Sequence, residues 1–191
     1  MERFVDPNLA RALKKHNRIF AESLLPSGGL VAIPWLNQPN PLCSGEHGAC
    51  SFIGAGPSTT KADFVRAVAA GMCYELARVF AEAKKRKAFD SVVLSGGASK
   101  GVHFRKLVTA LFESVPVYRV VEEDWMGARG CLYTFGSRVA RAKAKRLRTP
   151  RSLDADALHR GQDAYGKAFS LLYSDTRPGE AFTFGANRGT R

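Results

Sequence analysis

The sequence predicts an α/β protein, and three observations carry this prediction. The stretch Ser91–Val120 reads as a strand, a glycine turn, a helix and a second strand. A long apolar stripe at helical spacing precedes it, and a short apolar run bounded by glycine and proline lies further upstream. Because a crossover as short as Ser91–Val120 favours parallel, right-handed pairing, we expect helices packed on a sheet that is partly parallel.

The N-terminal part of the chain predicts a helix, a strand and a loop. Residues from Pro7 to Leu25 carry an apolar stripe at helical spacing, which Pro26–Gly29 ends. Leu30–Trp35 is a short apolar strand, and Asn37–Gly56 is a loop rich in turn-forming residues.

A long helix follows the loop. Thr60 and Asp63 predict a capping box at its start, and the cations Lys84–Lys87 favour its C-terminal dipole. Its expected buried face is formed by the large apolar residues Phe64, Val65, Val68, Met72, Leu76, Val79 and Phe80.

The glycine turn at Gly96 and Gly97 is the most informative local feature. It follows the apolar strand Val92–Leu94, and Ser99 is the expected cap of the helix that comes next. That helix is followed by the strand residues Val115–Val121. Glycine lets backbone approach a ligand, but it also punctuates turns that bind nothing. The residues alone therefore leave open a nucleotide site and an empty turn.

The C-terminal part predicts two more helices. The first runs from Trp125 to about Lys145, with Gly127 and Gly130 as points of close approach, and the second from Asp154 to Tyr173. The final residues are expected to be loose.

Composition indicates one globular domain with extensions. The chain has 191 residues, of which 45% are hydrophobic, and no apolar run approaches the roughly 20 residues of a membrane span. The N-terminus lacks the apolar region of a signal peptide, and the four cysteines are too few for a disulfide framework. We therefore expect a soluble cytoplasmic protein with reduced thiols and no membrane partner.

Charge is uneven along the chain. There are 29 Lys and Arg against 17 Asp and Glu, a net charge of +12, and Arg138–Arg151 contains no acid. Such a block can bind phosphate backbones, with affinity that falls steeply with salt, or it can be a solvated helix end. No aromatic residues interleave with it to stack bases, so nucleic acid is the less favoured partner.

Other polar residues do not form a convincing constellation. Cys43, His47 and Cys50 share one loop, but they lack the tight spacing of a zinc knuckle, so no metal site is predicted. The remaining histidines lie on predicted helices without a neighbouring nucleophile. Three aspartates, Asp63, Asp90 and Asp124, are expected to be structural, and no catalytic residue is assigned.

Four blocks in order resemble the C-terminal domain of the FGGY family of carbohydrate kinases. They are an apolar strand with a proline-rich loop (Gly28–Gly56), a helix close to RAVLEG (Lys61–Leu76), a turn close to GGGA (Val92–Leu107), and a strand followed by Glu and a Gly-Ala pair (Val115–Tyr133). The resemblance covers roughly Phe20–Phe135. Departures from the pattern are Ser95, Ala70 and Arg129.

The resemblance implies an actin-like, ribonuclease-H-like ATPase fold and ATP with Mg²⁺ as cofactor. It places Gly96, Gly97 and Ala98 against the adenosine of ATP, with Ser99 and Lys100 near the ribose or phosphates. On this basis we predict an N-terminal helical extension at 1–19, a nucleotide-binding domain at 20–136 and a basic helical tail at 137–191.

The family's small-residue phosphate hairpin has no counterpart in Met1–Phe20, and its catalytic aspartate belongs to an N-terminal domain that a chain of this length does not contain. The resemblance therefore implies the nucleotide-binding half of a ketose or polyol kinase, not catalytic alone. A separate N-terminal half, or self-association, would cover the remaining surface. The alternatives are a non-catalytic module that binds adenine nucleotide or a protein, and a basic nucleic-acid-binding protein.

Overall fold

A computed structural model of the protein describes residues 17–34, 50–86, 89–121, 143–150 and 153–173. A helical segment at 17–22 begins the described part. The strands are β1 (Val31–Ile33), β2 (Ser51–Ile53), β3 (Val92–Leu94), β4 (Val117–Val120) and β5 (Ala144–Arg146). The helices are α1 (Lys61–Arg86), α2 (Val102–Leu111) and α3 (Ala155–Leu172), and a 3₁₀ turn (Gly97–Lys100) lies between β3 and α2.

The strands form a mixed α/β arrangement, as the sequence predicts. β3 pairs with β4 in parallel, and the amide of Val92 donates to the carbonyl of Pro116 at 3.0 Å. β5 pairs with β4 antiparallel, which gives the order β3-β4-β5, and β1 pairs with β2 in a separate antiparallel ribbon. The predicted strand–turn–helix–strand unit is therefore confirmed.

The two faces of β1 pack into two cores. Val31 and Ile33 belong to the main core, which also contains residues of α1, α2, α3, β3 and β4, whereas Leu30 and Ala32 pack with Ala67 of α1. This follows from the alternation of side chains along a strand.

The face of α1 that packs most tightly differs from the predicted one. Its most buried apolar residues are mostly small, with one tyrosine among them, namely Ala67, Ala70, Gly71, Cys73, Tyr74 and Ala77. A Cβ on Gly71 would clash with the carbonyl oxygen of Ala32, so β1 approaches the helix more closely than large side chains allow. The large apolar residues that the sequence singles out are only partly buried, and Met72 is 44% exposed.

The predicted capping box at the start of α1 is confirmed. The amide of Asp63 donates to Oγ1 of Thr60 at 3.2 Å, and the amide of Thr60 donates to Oδ2 of Asp63 at 3.0 Å. Asp63 also accepts from the amide of Ser27 and pairs with Arg66, whose guanidinium donates to the carbonyl of Ile19. This network fastens the helical segment 17–22 to α1.

The described part of 137–191, predicted as a basic helical tail, is not entirely helical. Residues 144–146, at and beyond the expected end of the Trp125–Lys145 helix, form strand β5, and Leu158, Tyr165 and Ala168 of α3 are buried in the main core. The physical reason is that β5 is held by backbone pairing with β4. Its side chains are exposed and mostly cationic, so its sequence shows no apolar pattern that would predict a strand. The predicted helix at Asp154–Tyr173 itself is confirmed, and Asp154 caps it.

Other expectations concern residues only partly within the described ranges. Of the helix predicted for Pro7–Leu25, the structure shows residues 17–22, and the part up to residue 16 lies outside the described residues. Most of Asn37–Gly56 and the end of the chain after 173 also lie outside them.

Cys50 and Cys73 are free thiols. Within the described ranges, no helix is long and apolar enough to cross a membrane.

Candidate functional site

The glycine turn connects β3 to α2 at the edge of the sheet where the parallel strands end. Gly96 has φ 82° and ψ −175°, a conformation that is essentially restricted to glycine. The 3₁₀ turn Gly97–Lys100 follows, and its first bond runs from the amide of Ser99 to the carbonyl of Gly96 at 3.2 Å. Glycine at position 96 is therefore a backbone requirement of this turn.

Ser99 does not cap α2, which corrects the sequence prediction. Gly101 is the N-cap, and no side chain caps this helix. The hydroxyl of Ser99 instead donates to the carbonyl of Gly96 at 2.8 Å, and the residue is 1% exposed. The inserted 3₁₀ turn moves the start of the helix beyond Ser99, so its side chain points inward and stabilises the turn.

Arg105 holds the end of the same turn, a role that the sequence analysis missed. Its Nη1 donates to the carbonyl oxygens of Ser99 and Lys100, both at 2.8 Å. Arg105 lies on the first turn of α2, where its position gives no sign of a contact back to the loop. The Gly96–Lys100 backbone is therefore fixed from both ends.

The outer surface of the turn is open. A Cβ built on Gly96 or Gly97 would meet no atom within 4 Å, and Ala98 and Lys100 are exposed. Of the five predicted site residues, four are therefore exposed at the surface of the turn, and Ser99 lies buried beneath them.

An apolar pocket of about 710 Å³ adjoins the turn. Its walls come from β3, α1 and α2, and it reaches Ser95, Ala98 and Ser99 of the turn. Most of its lining is apolar and includes residues of α1 that the sequence places in the core: Met72, Leu76, Val79 and Phe80. The predicted buried stripe of α1 thus forms much of the pocket wall.

Glu75 is a buried carboxylate in the wall of this pocket, but it is fully engaged in structural bonds. Arg78 donates to both of its oxygens, at 2.8 and 2.7 Å, and the hydroxyl of Tyr165 donates to Oε2 at 2.9 Å. Burial, followed by the charge of Glu75, raises the pKa of Tyr165. This cluster ties α3 to α1 and offers no free proton acceptor.

The aspartates and histidines singled out by the sequence have structural surroundings where they are described. Hydrogen bonds from the Ser27 amide and the Thr60 hydroxyl lower the pKa of Asp63 below its usual range, and Asp90 accepts from the Ser91 hydroxyl at 2.9 Å. His103 stacks on Phe20 with ring centroids 4.9 Å apart. Asp124 and His16 lie outside the described residues.

The possible zinc ligands cannot be compared as a set, because Cys43 and His47 lie outside the described residues. Burial raises the pKa of Cys50. Within the described ranges, no group of three or more His, Cys, Asp or Glu residues could hold a metal ion. A Mg²⁺ that binds mainly to phosphate oxygens and water does not require such a group.

Solved kinase structures resemble this chain in fold. A gluconate kinase from Lactobacillus acidophilus aligns with TM-score 0.64 and 20% identity over 85% of this chain and 35% of the kinase. A xylulose kinase from Rhodospirillum rubrum aligns with TM-score 0.59 and 18% identity over 87% of this chain and 35% of the kinase. A Plasmodium falciparum glycerol kinase with ADP aligns with TM-score 0.60 and 12% identity over 87% and 34%. The match therefore spans about a third of each of these kinases.

A search of curated protein sequences finds no match. The family model for the FGGY family of carbohydrate kinases, C-terminal domain, matches residues 6–134, more than half of the 191-residue chain. The match begins within the predicted 1–19 extension, and the kinase structures align with residues beyond 134 as well. This chain, which carries a glycine turn between β3 and α2, therefore belongs to the FGGY family of carbohydrate kinases, and it corresponds to the family's C-terminal domain.

Proposed function

We propose that this chain is the nucleotide-binding half of an ATP-dependent carbohydrate kinase that acts on a ketose or polyol, and that it does not catalyse phosphoryl transfer alone. The observation that carries the proposal is the open glycine turn at the end of β3, with Gly96 in a glycine-only conformation. Membership of the family supports ATP as the nucleotide, and one structural neighbour is a glycerol kinase with ADP.

In this proposal the adenosine of ATP lies against Gly96, Gly97 and Ala98. The open space over both glycines supports this assignment, because any side chain there would occupy the volume of the ligand. Ser99 positions the turn through its bond to the Gly96 carbonyl, and Lys100 contributes an exposed cation next to it.

The pocket beside the turn gives the adenosine an apolar surface. Its volume of about 710 Å³ lies in the range of roughly 300–1,000 Å³ that is usual for small-molecule sites, and its lining is mostly apolar. An aromatic base buried there would be stabilised by removal of apolar surface from water.

Phosphoryl transfer requires a catalytic carboxylate that we do not find among the described residues of this chain. Phosphoryl transfer depends on positioning the γ-phosphoryl in line with a hydroxyl activated by a carboxylate, while Mg²⁺ neutralises charge on the phosphates. Asp63 and Glu75 are committed to structural bonds, so neither supplies that base. We therefore propose that a kinase N-terminal half provides the catalytic base and the sugar site.

The experiment is reconstitution. The chain is mixed with a separately expressed N-terminal half of an FGGY kinase, and ATP-dependent phosphorylation is assayed with xylulose, gluconate and glycerol. Activity in the mixture and in neither half alone supports the proposal. ATP binding without activity for any N-terminal half or substrate would instead favour the second candidate, a non-catalytic nucleotide-binding module. That candidate draws support from the absence of a free carboxylate beside the turn in the described structure.

A further inference from the structure

The strand that leads into the glycine turn lies at an open edge of its sheet. The strand order is β3-β4-β5, so β3 is an edge strand within the described ranges. The amide of Val92 donates to the carbonyl of Pro116 on the β4 side, and backbone groups point alternately to the two sides of a strand. The amide and carbonyl of Val93 therefore point away from β4. Such an edge is a template for a further strand.

The pocket of about 710 Å³ follows this edge. Val93 and Leu94 both line it, although adjacent residues of a strand lie on opposite faces of the sheet. A pocket that both of them reach runs along the edge of β3 and not over one face. We name it the edge groove. Its α1 side consists of the four apolar residues Met72, Leu76, Val79 and Phe80.

These four residues of α1 have the spacing of a buried face but are only partly covered. Apolar residues that recur every three to four positions normally pack against another element. In the structure Met72 is 44% exposed, and the other three are half-buried. Val93, across the groove, is 56% exposed. Because contiguous exposed apolar residues mark interaction sites, the groove is a candidate docking site.

The backbone in the groove selects an extended occupant. A strand beside β3, at the usual spacing of about 4.8 Å, would pair with the amide and carbonyl of Val93. A helix would leave them unpaired, because its own backbone groups bond within the helix. The side chains on one face of the added strand would also cover the apolar residues of α1. An extended segment therefore satisfies both the polar and the apolar parts of the groove.

We propose that the edge groove binds an extended segment of the kinase N-terminal half, which pairs with β3 and covers the apolar stripe of α1. The inference rests on the proposed function, which requires that half. The gluconate and xylulose kinases match this chain over 35% of their own length, so most of each kinase lies outside the match. Strand β5 of a second copy fits less well, because Lys145 and Arg146 would bring cations against apolar residues.

Docking at this place brings the N-terminal half to the nucleotide. The groove reaches Ala98 of the turn, so a segment bound there places its half beside the adenosine site, as phosphoryl transfer requires. The ring of Phe80 lies 5.6 Å from that of Phe89, which precedes β3, so this end of the groove is remote from the turn. The segment lies between Phe80 and Val93, and the end at Ala98 remains available to adenosine.

Hydrogen exchange of single amides tests the open edge in the chain alone. NMR measures exchange of the Val93 amide, and Val92 is the matched control because its amide is bonded to Pro116 at 3.0 Å. We expect Val93 to exchange at least about tenfold faster than Val92. Equal protection of the two amides would mean that another part of this chain already pairs with the edge, and it would overturn the inference.

Binding measurements test the occupant. The N-terminal half of the Lactobacillus acidophilus gluconate kinase is titrated, without nucleotide, into the wild-type chain, Val93→Lys and Met72→Lys. The matched control is Val121→Lys, since Val121 is 58% exposed and its amide donates to the carbonyl of Lys143, on the β5 side of β4. Circular dichroism verifies that each protein is folded.

We expect the wild type and the control to bind alike, and both groove variants to bind at least about tenfold more weakly, because each places a charge in an apolar contact. The amide of Val93 should become protected in the complex. Equal affinity in all four proteins, no binding to the wild type, or a Val93 amide that stays unprotected in the complex would each contradict the inference.

Calorimetry of ATP with the wild-type chain alone separates this inference from the proposed nucleotide site. ATP binding without docking would remove the edge groove and leave the nucleotide site. Docking that depends on Val93, without ATP binding, would support the groove and contradict the nucleotide assignment. A dimer of the wild-type chain that Val93→Lys makes monomeric would assign the groove to a second copy and overturn the inference.

Discussion

Single residues fix the backbone at two places, the glycine turn and the start of α1. Gly96 adopts a conformation that other residues avoid, and Asp63 joins the start of α1 to the segment before β1. Each contribution comes from one backbone angle or one carboxylate, so each can be removed by one substitution.

Gly96→Ala is expected to lower the free energy of unfolding by about 1–3 kcal/mol, because alanine must adopt the positive φ of 82° there. The space around a Cβ at this position is empty, so the cost comes from the backbone and not from a clash. Urea denaturation of the variant and the wild type measures it. Stability equal to that of the wild type would mean that the turn does not have this conformation in solution.

Asp63→Ala is expected to lower the free energy of unfolding by about 2–4 kcal/mol, because it removes a cap and the buried carboxylate that pairs with the Arg66 guanidinium. Glu22, whose side chain is 67% exposed, is the control, and Glu22→Ala should cost less than about 1 kcal/mol.

The same carboxylate predicts a dependence of stability on pH. Its pKa is lower in the folded protein than the roughly 3.9 expected when unfolded, so its contribution is complete above about pH 5 and is lost as pH falls. The difference between the urea midpoints of wild type and Asp63→Ala should therefore begin to narrow as pH falls from 5 to 3, and it should continue to narrow at lower pH. A difference that stays constant over this range would contradict the assignment.

At the scale of elements, close packing of α1 on β1 sets the architecture. Gly71→Ala should lower the free energy of unfolding by more than about 2 kcal/mol even though alanine favours helix, because its Cβ would clash with the Ala32 carbonyl. Gly166→Ala in α3 is the matched control, since a Cβ at this position would meet no atom within 4 Å. This substitution should stabilise the protein by about 0.5–1 kcal/mol. Two variants of equal stability would be incompatible with this packing.

Elements were predictable from the sequence where their signals are local. The strands around Gly96, the capping box at Thr60 and the helix capped by Asp154 follow from alternation, spacing and capping residues within a few positions. Strand β5 was not predictable, because its pairing with β4 is a backbone contact between distant residues and its side chains are cationic.

The candidate site was predictable in its glycines and less so in its supports. Gly96 and Gly97 follow directly from the turn after an apolar strand, but the inward hydroxyl of Ser99 depends on the 3₁₀ turn that delays the start of α2. The pocket was missed because counting large apolar residues on α1 assigns Met72 and Leu76 to the core, whereas the close approach of β1 selects the small-residue face.

At the scale of the whole molecule, α3 completes the core that supports the site. Leu158→Ala should lower the free energy of unfolding by about 2–5 kcal/mol, because Leu158 is 0% exposed and contacts the main core. Leu171, on the same helix but 81% exposed, is the control, and Leu171→Ala should change stability by less than about 0.5 kcal/mol. Chemical denaturation measures both. A small effect of Leu158→Ala would indicate that α3 is an independent extension after all.

The proposed function depends on binding of adenine nucleotide to the open backbone of the glycine turn. Calorimetric titration of ATP into the wild-type chain and into Gly97→Val tests this dependence. Gly97 does not have a positive φ, and a Cβ there would meet no atom within 4 Å. The variant should therefore fold, while its valine side chain obstructs the ligand. We expect saturable binding to the wild type and at least about tenfold weaker binding to the variant, at unchanged thermal stability. No binding of millimolar ATP to the wild type, or equal affinity in both proteins, would contradict the claim.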